Sequence, residues 1–124
     1  RGVLLLDGAA YDVPAQIAQS GAFMRGTYVQ AFGEDVTRQR ALSPYYQAAA
    51  PNAPAFLILH VERDDGTRQS TALADALSKA GADVTLQGFG GKGLMGHMAI
   101  NRQLGEPDYP ATPVVDQWLT RIFR

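Results

Sequence analysis

Two unbroken apolar runs stand out along the chain. Val3-Leu4-Leu5-Leu6 is closed by the turn signal Asp7-Gly8, and Ala55-Phe56-Leu57-Ile58-Leu59 follows the breakers Pro51 and Pro54. Neither run alternates apolar with polar residues, which is the pattern of strands buried on both faces, as in a parallel sheet covered by helices. Asp83-Val84-Thr85-Leu86-Gln87 is a third, weaker strand. Between the second and third strands, Ala72, Leu73, Ala76, Leu77 and Ala80 recur at helical spacing, and Gly81 follows as a stop. This predicts a helix from about Thr67 to Ala80. Strand, helix and strand in this order make a βαβ unit, for which a right-handed crossover is the expectation. A last helix is predicted with Thr112 as N-cap and Pro113 at N1. Its apolar stripe is Val114, Val115, Trp118, Leu119, Ile122 and Phe123.

The segment from Val13 to Pro54 has a different texture. Its apolar residues (Ile17, Phe23, Met24, Tyr28, Phe32, Tyr45, Tyr46) are scattered without a strong period, and a short helix is predicted only around Glu34 to Ala41. A connection this long inside a compact domain is usually functional, as a lid or binding loop. Three parallel strands also leave open sheet edges and little core. The fully apolar first strand therefore predicts a neighbouring strand from outside this chain. That the chain opens at Arg1, directly ahead of a strand, carries the same expectation of a break upstream.

Composition adds mainly exclusions. The chain has 124 residues, of which 46% are hydrophobic and 19% charged, with a formal net charge of −1, so one domain or part of one is expected. A near-neutral balance offers no basic face for nucleic acid. No apolar run is long enough to span a membrane, and no signal-peptide pattern opens the chain. The absence of cysteine excludes disulfides, thiolate catalysis and zinc–sulfur sites within these residues.

Candidate chemistry concentrates after the second and third strands. Gly88-Phe89-Gly90-Gly91-Lys92-Gly93 matches the G-x-G-x-x-G dinucleotide fingerprint and follows a strand. That fingerprint also needs a following strand that ends in an acid. Glu106 and Asp108 lie at a suitable distance, but no strand separates them from the glycines. The same glycines can instead give backbone freedom to a loop that presents His97 at the carboxyl edge of the sheet, where open α/β folds build their sites. His60, at the end of an apolar strand, reads as a histidine bonded to the turn that follows it. Asp64 and Asp65 open the next helix, where carboxylates cap and complement the helix dipole. A carboxylate there can also accept a hydrogen bond from a histidine and fix its tautomer for proton transfer.

These motifs together make the chain resemble the C-terminal part of an α/β-hydrolase-fold serine esterase of the lipase/carboxylesterase group. The stretch "HVERDDGTRQS" resembles the family's His-Gly-x-x-Asp turn, with Val61 in place of the glycine, and this implies Asp64 as the triad acid. Gly96-His97 matches the family's Gly-His pair after the last strand and implies His97 as the catalytic base. "ALSPYYQAAAPNAPAFLILH" resembles the segment before the acid strand, and "GVLLLDGAAYD" the strand after the nucleophile. Residues 13–50 would then be a cap insertion. The implied fold is α/β, the C-terminal half of an α/β-hydrolase domain across residues 1–124. Aromatic and thioether side chains at Phe23, Tyr28, Tyr45, Tyr46 and Met98 are candidates for the substrate pocket. The resemblance implies a small ester substrate and neither cofactor nor metal.

The nucleophile of this family sits in a G-x-S-x-G elbow upstream of the acid and the histidine. None of Ser20, Ser43, Ser70 and Ser78 is flanked that way. The expectation is therefore a separate N-terminal portion of the same hydrolase that supplies the serine, the oxyanion hole and the remaining strands. The alternatives are a hydrolase-like chain used for binding or assembly, and a nucleotide-binding domain built on Gly88 to Gly93.

Overall fold

A computed structural model describes residues 1–49 and 51–124. Ala50, the last residue of the expected cap segment, lies outside the described residues. The chain forms a three-stranded parallel sheet with helices on both faces. Strands β1 (Gly2–Leu6), β2 (Ala55–Glu62) and β3 (Asp83–Lys92) lie in that order. Leu4 pairs with Leu57, and Leu57 with Thr85, so β2 is the central strand. One edge of β1 and one edge of β3 carry no partner strand among the described residues.

The unbroken run on β2 is explained by this central position. Phe56 and Ile58 enter one core with Leu73, Ala74 and Leu77 of α4 (Asp64–Lys79). Ala55, Leu57, Leu59 and Val61 enter the other core, with Ile100 of α5 (Gly93–Gln103) and Ala111 and Trp118 of α6 (Ala111–Ile122). Leu57, Ile58, Leu59 and Val61 are wholly inaccessible to solvent. Residues Val3 to Leu6 of β1 alternate between the same two cores but are only half-buried, because nothing covers their outer edge. At the start of β1, Gly2 is held so closely under Trp118 that an added Cβ would lie 2.7 Å from the indole ring.

The segment between β1 and β2 is more ordered than its pattern suggests. It forms α1 (Val13–Gln19), α2 (Ala22–Phe32), α3 (Val36–Ala41) and a 3-10 turn at Pro44–Gln47. Asp12 caps α1 by accepting from Ala15 N, and Asp35 caps α3 by accepting from Thr37 N. α2 buries no residue, which is why it shows no apolar period. Three further boundaries differ from expectation. β3 runs five residues beyond Gln87, through Gly88 to Lys92, and α5 starts at once, so His97 sits on a helix and not in a loop. α4 begins at Asp64, with Arg63 as N-cap, so both aspartates occupy its first turn. Pro110 precedes α6, and Thr112 does not cap it; its hydroxyl accepts from Gly105 N instead.

Leu57 fills the sheet centre with no solvent access. Leu57→Ala is expected to lower unfolding free energy by about 2–5 kcal/mol, read from the urea midpoint at constant slope.

Candidate functional site

The carboxyl ends of the three strands converge on one buried carboxylate. Asp7, the residue after β1, has no solvent access, and its backbone takes the left-handed conformation, φ 45°. Short polar side chains tolerate that conformation best. Its amide donates to Leu59 O at 2.7 Å, and its Oδ1 accepts from Val61 N at 3.0 Å, so β2 fixes both its main chain and its carboxylate. Oδ2 faces α5, where His97 Nδ1 lies 2.7 Å away. Arg63 completes the setting. Its Nη2 donates to the Asp7 carbonyl at 3.0 Å, and its Nε lies 3.3 Å from Oδ2 as an ion pair.

Glycines bring His97 there. β3 slips register after Val61, so Glu62 pairs with Lys92 and the Gly90-Gly91 step bulges. Gly91 has φ +107°, and Gly93, which opens α5, has φ +54°. α5 then folds back so closely that a Cβ on Gly96 would meet the Gly91 carbonyl carbon at 2.5 Å. Only glycine fits at position 96, and its neighbour His97 is set by that approach. Gly88 makes room elsewhere, under the ring of His60, where an added Cβ would lie 2.8 Å from Cε1. His60 itself bonds Val61 O and the Thr67 hydroxyl through Nδ1, so it ties the end of β2 to α4. After α5 comes α6 and no further strand, so among the described residues no acid ends a following strand as a dinucleotide fingerprint requires.

The side chain of Asp64 is exposed and makes no hydrogen bond or ion pair among the described residues. The structure therefore does not bring Asp64 to His97; the carboxylate on that ring belongs to Asp7. In the sequence, Asp7-Gly8 reads only as a turn signal. The feature that distinguishes it is an aspartate closing a fully apolar strand, at the same sheet edge as the histidine. Asp65 is built into structure instead. It accepts from Gln16 Nε2 at 3.1 Å and from Gly66 N at 2.8 Å, and Arg63 Nη1 lies 3.8 Å away. Burial raises its pKa, but the two hydrogen bonds and the Arg63 charge outweigh burial and hold it below the ordinary aspartate value.

An open groove of about 470 Å³ lies between α1–α2 and the start of α5. Met24, Tyr28 and Leu94 line it with Arg63, Asp64 and Arg68. Of the expected pocket residues, Tyr28 lies in this groove and the others do not. Phe23 projects from α2 with 85% exposure. Tyr45 and Tyr46 stack edge to face in the 3-10 turn at 5.1 Å, with Arg40 over the Tyr46 ring. Met98 follows His97 on α5 and is half-buried. Tyr109 borders a second groove with Phe89, Glu106 and Asp108. Burial and the Asp7 charge both raise its hydroxyl pKa.

The four serines are elsewhere. Ser43 and Ser70 are buried, Ser43 bonding Val13 N and Gln39 O; Ser20 bonds Gln16 O, and Ser78 is exposed on α4. No described residue hydrogen-bonds His97 Nε2. Among the described residues no three histidine, aspartate or glutamate side chains converge as a metal set, and no helix is long and apolar enough to cross a membrane.

Because Asp65 titrates lower folded than unfolded, it stabilises the fold fully above the ordinary carboxylate range. That contribution disappears as pH falls through its own lower value. Asp65→Asn is therefore expected to be less stable than wild type at neutral pH, with the gap closing on acidification. Urea midpoints measured across the acid range check this, and a gap independent of pH contradicts it.

Comparison with known proteins finds no family model, no curated protein and no solved structure that matches this chain.

Proposed function

We propose that this chain supplies the general base of a carboxylic ester hydrolase, with His97 as the base and Asp7 as the acid that orients it. The observation that carries this reading is the 2.7 Å bond between His97 Nδ1 and the buried Asp7 Oδ2. A buried carboxylate on Nδ1 places the proton there, leaves the Nε2 lone pair available, and stabilises the imidazolium formed when Nε2 accepts a proton. The pair stands at the carboxyl edge of a parallel sheet, where α/β folds carry their sites.

In this reading Nε2 takes the proton of a serine hydroxyl as it attacks the ester carbonyl, and returns it to the leaving alcohol. The serine and the oxyanion donors come from a separate portion of the hydrolase. The open edge of β1 supports this: its residues are apolar, only half-buried and unpaired on one side. A strand added there would end beside Asp7 and His97. The groove lined by Met24, Tyr28 and Leu94 suits a small apolar acyl or alcohol group. Asp64, exposed on the same groove, contributes charge to its rim.

One observation favours a second reading. Among the described residues no hydroxyl bonds His97, as in a chain that keeps the hydrolase frame for binding or assembly. The two readings part on one assay. Turnover of a short-chain aryl ester by the assembled protein should fall about 10⁶-fold in His97→Ala. Equal turnover by variant and wild type would sink the esterase reading, and complete inactivity of both would favour the binding chain.

A further inference from the structure

The Asp7–His97 pair leaves one adjacent charge unexplained. Arg63 is the N-cap residue of α4, yet its side chain does not cap the helix. It turns back toward β1 and lies against Gly66, whose missing Cβ leaves room for it: a carbon there would meet Nη2 at 3.1 Å. From this position one guanidinium touches Asp7 twice. Nη2 donates to the main-chain carbonyl at 3.0 Å, and Nε stands 3.3 Å from Oδ2, the oxygen that His97 also uses. Asp65 holds the far side of the same guanidinium at 3.8 Å and is itself fixed by Gln16 of α1.

We propose that Arg63 is a positioning residue for the His97–Asp7 pair, and this rests on the esterase reading above. Two features demand such a residue. The Asp7 backbone is in a conformation that side-chain-bearing residues adopt at a cost, and the bond to its carbonyl holds it there. The carboxylate has a free rotation about its side chain that Val61 N, through Oδ1, restrains from one side only. On the other side the Arg63 charge stands 3.3 Å from Oδ2 at Nε, an ion pair without a hydrogen bond, and attracts the oxygen that faces α5. A planar fork can bind carbonyl and carboxylate together, whereas an ammonium acts as a single point of charge. Arg63 does not touch the reacting atoms in this scheme; it acts through Asp7.

The test reads the His97–Asp7 bond directly. A short imidazole-to-carboxylate bond gives a proton resonance far downfield of the amides, recorded without substrate. Arg63→Met keeps an unbranched side chain as far as Nε and removes the charge and the donors. It should abolish this resonance in a protein that is folded by circular dichroism. In the assembled enzyme kcat should fall about 100-fold, the loss that a misplaced catalytic group brings, with KM unchanged. Arg63→Lys should restore both only in part, and it carries the test if the methionine variant does not fold. A wild-type resonance and wild-type kcat in a folded Arg63 variant overturn the proposal. Because the resonance needs no substrate, its dependence on Arg63 in a protein without hydrolase activity would overturn the esterase reading alone.

Discussion

A carboxylate with no access to water must have its oxygens occupied by donors, or its burial is prohibitive. Asp7 meets that condition with two hydrogen-bond partners and one neighbouring cation, from three separate elements, and the meeting of those elements organises the end of the sheet. The hydrogen-bond partners are Val61 N of β2 and the His97 ring of α5, and the cation is the Arg63 guanidinium at the start of α4. Removing any one donor leaves lone pairs on an enclosed acid. The carboxylate therefore joins the ends of the strands as much as it holds the histidine ring.

The glycines serve the same junction. Between β3 and α5 the chain reverses with no loop, through a bulge at Gly90-Gly91 and left-handed backbone at Gly93. Gly96 rests directly on Gly91, and this contact fixes the height of His97 over the sheet edge. Of the glycines that match a phosphate-binding fingerprint, Gly88 accommodates the His60 ring and Gly93 takes the left-handed backbone that opens α5, while the helix–strand contact is made by Gly91 and Gly96, which are not fingerprint positions. A side chain on Gly96 would push α5 outward and carry His97 with it.

The α/β class and the parallel sheet were legible because β2 and β1 are apolar on both faces, the mark of a strand with helices above and below. The long amphipathic helix α4 was legible for the same reason: its apolar positions face one core. α1 and α2 were not, because α1 is short and α2 buries nothing, so neither leaves a period in the sequence. His97 was legible as a residue of interest, though its helix was hidden by the glycines around it. Asp7 was not legible as its partner. The two residues are 90 positions apart, and the turn signal Asp7-Gly8 gives a sufficient local reason for an aspartate. Asp64 stood beside the right strand end in sequence, but α4 starts at that residue and leaves its side chain exposed, while Asp65 bonds Gln16.

The central claim is that Asp7, and not Asp64, is the acid on the histidine. Comparing kcat/KM for Asp7→Asn and Asp64→Asn in the assembled protein, on one short-chain ester, measures it directly. An amide at position 7 keeps the shape and favours the wrong imidazole tautomer, so a loss of about 10⁴-fold is expected there. Asp64→Asn, which alters one exposed charge on the groove, should stay within about tenfold of wild type. The reverse ranking, with the large loss at position 64, would contradict the account.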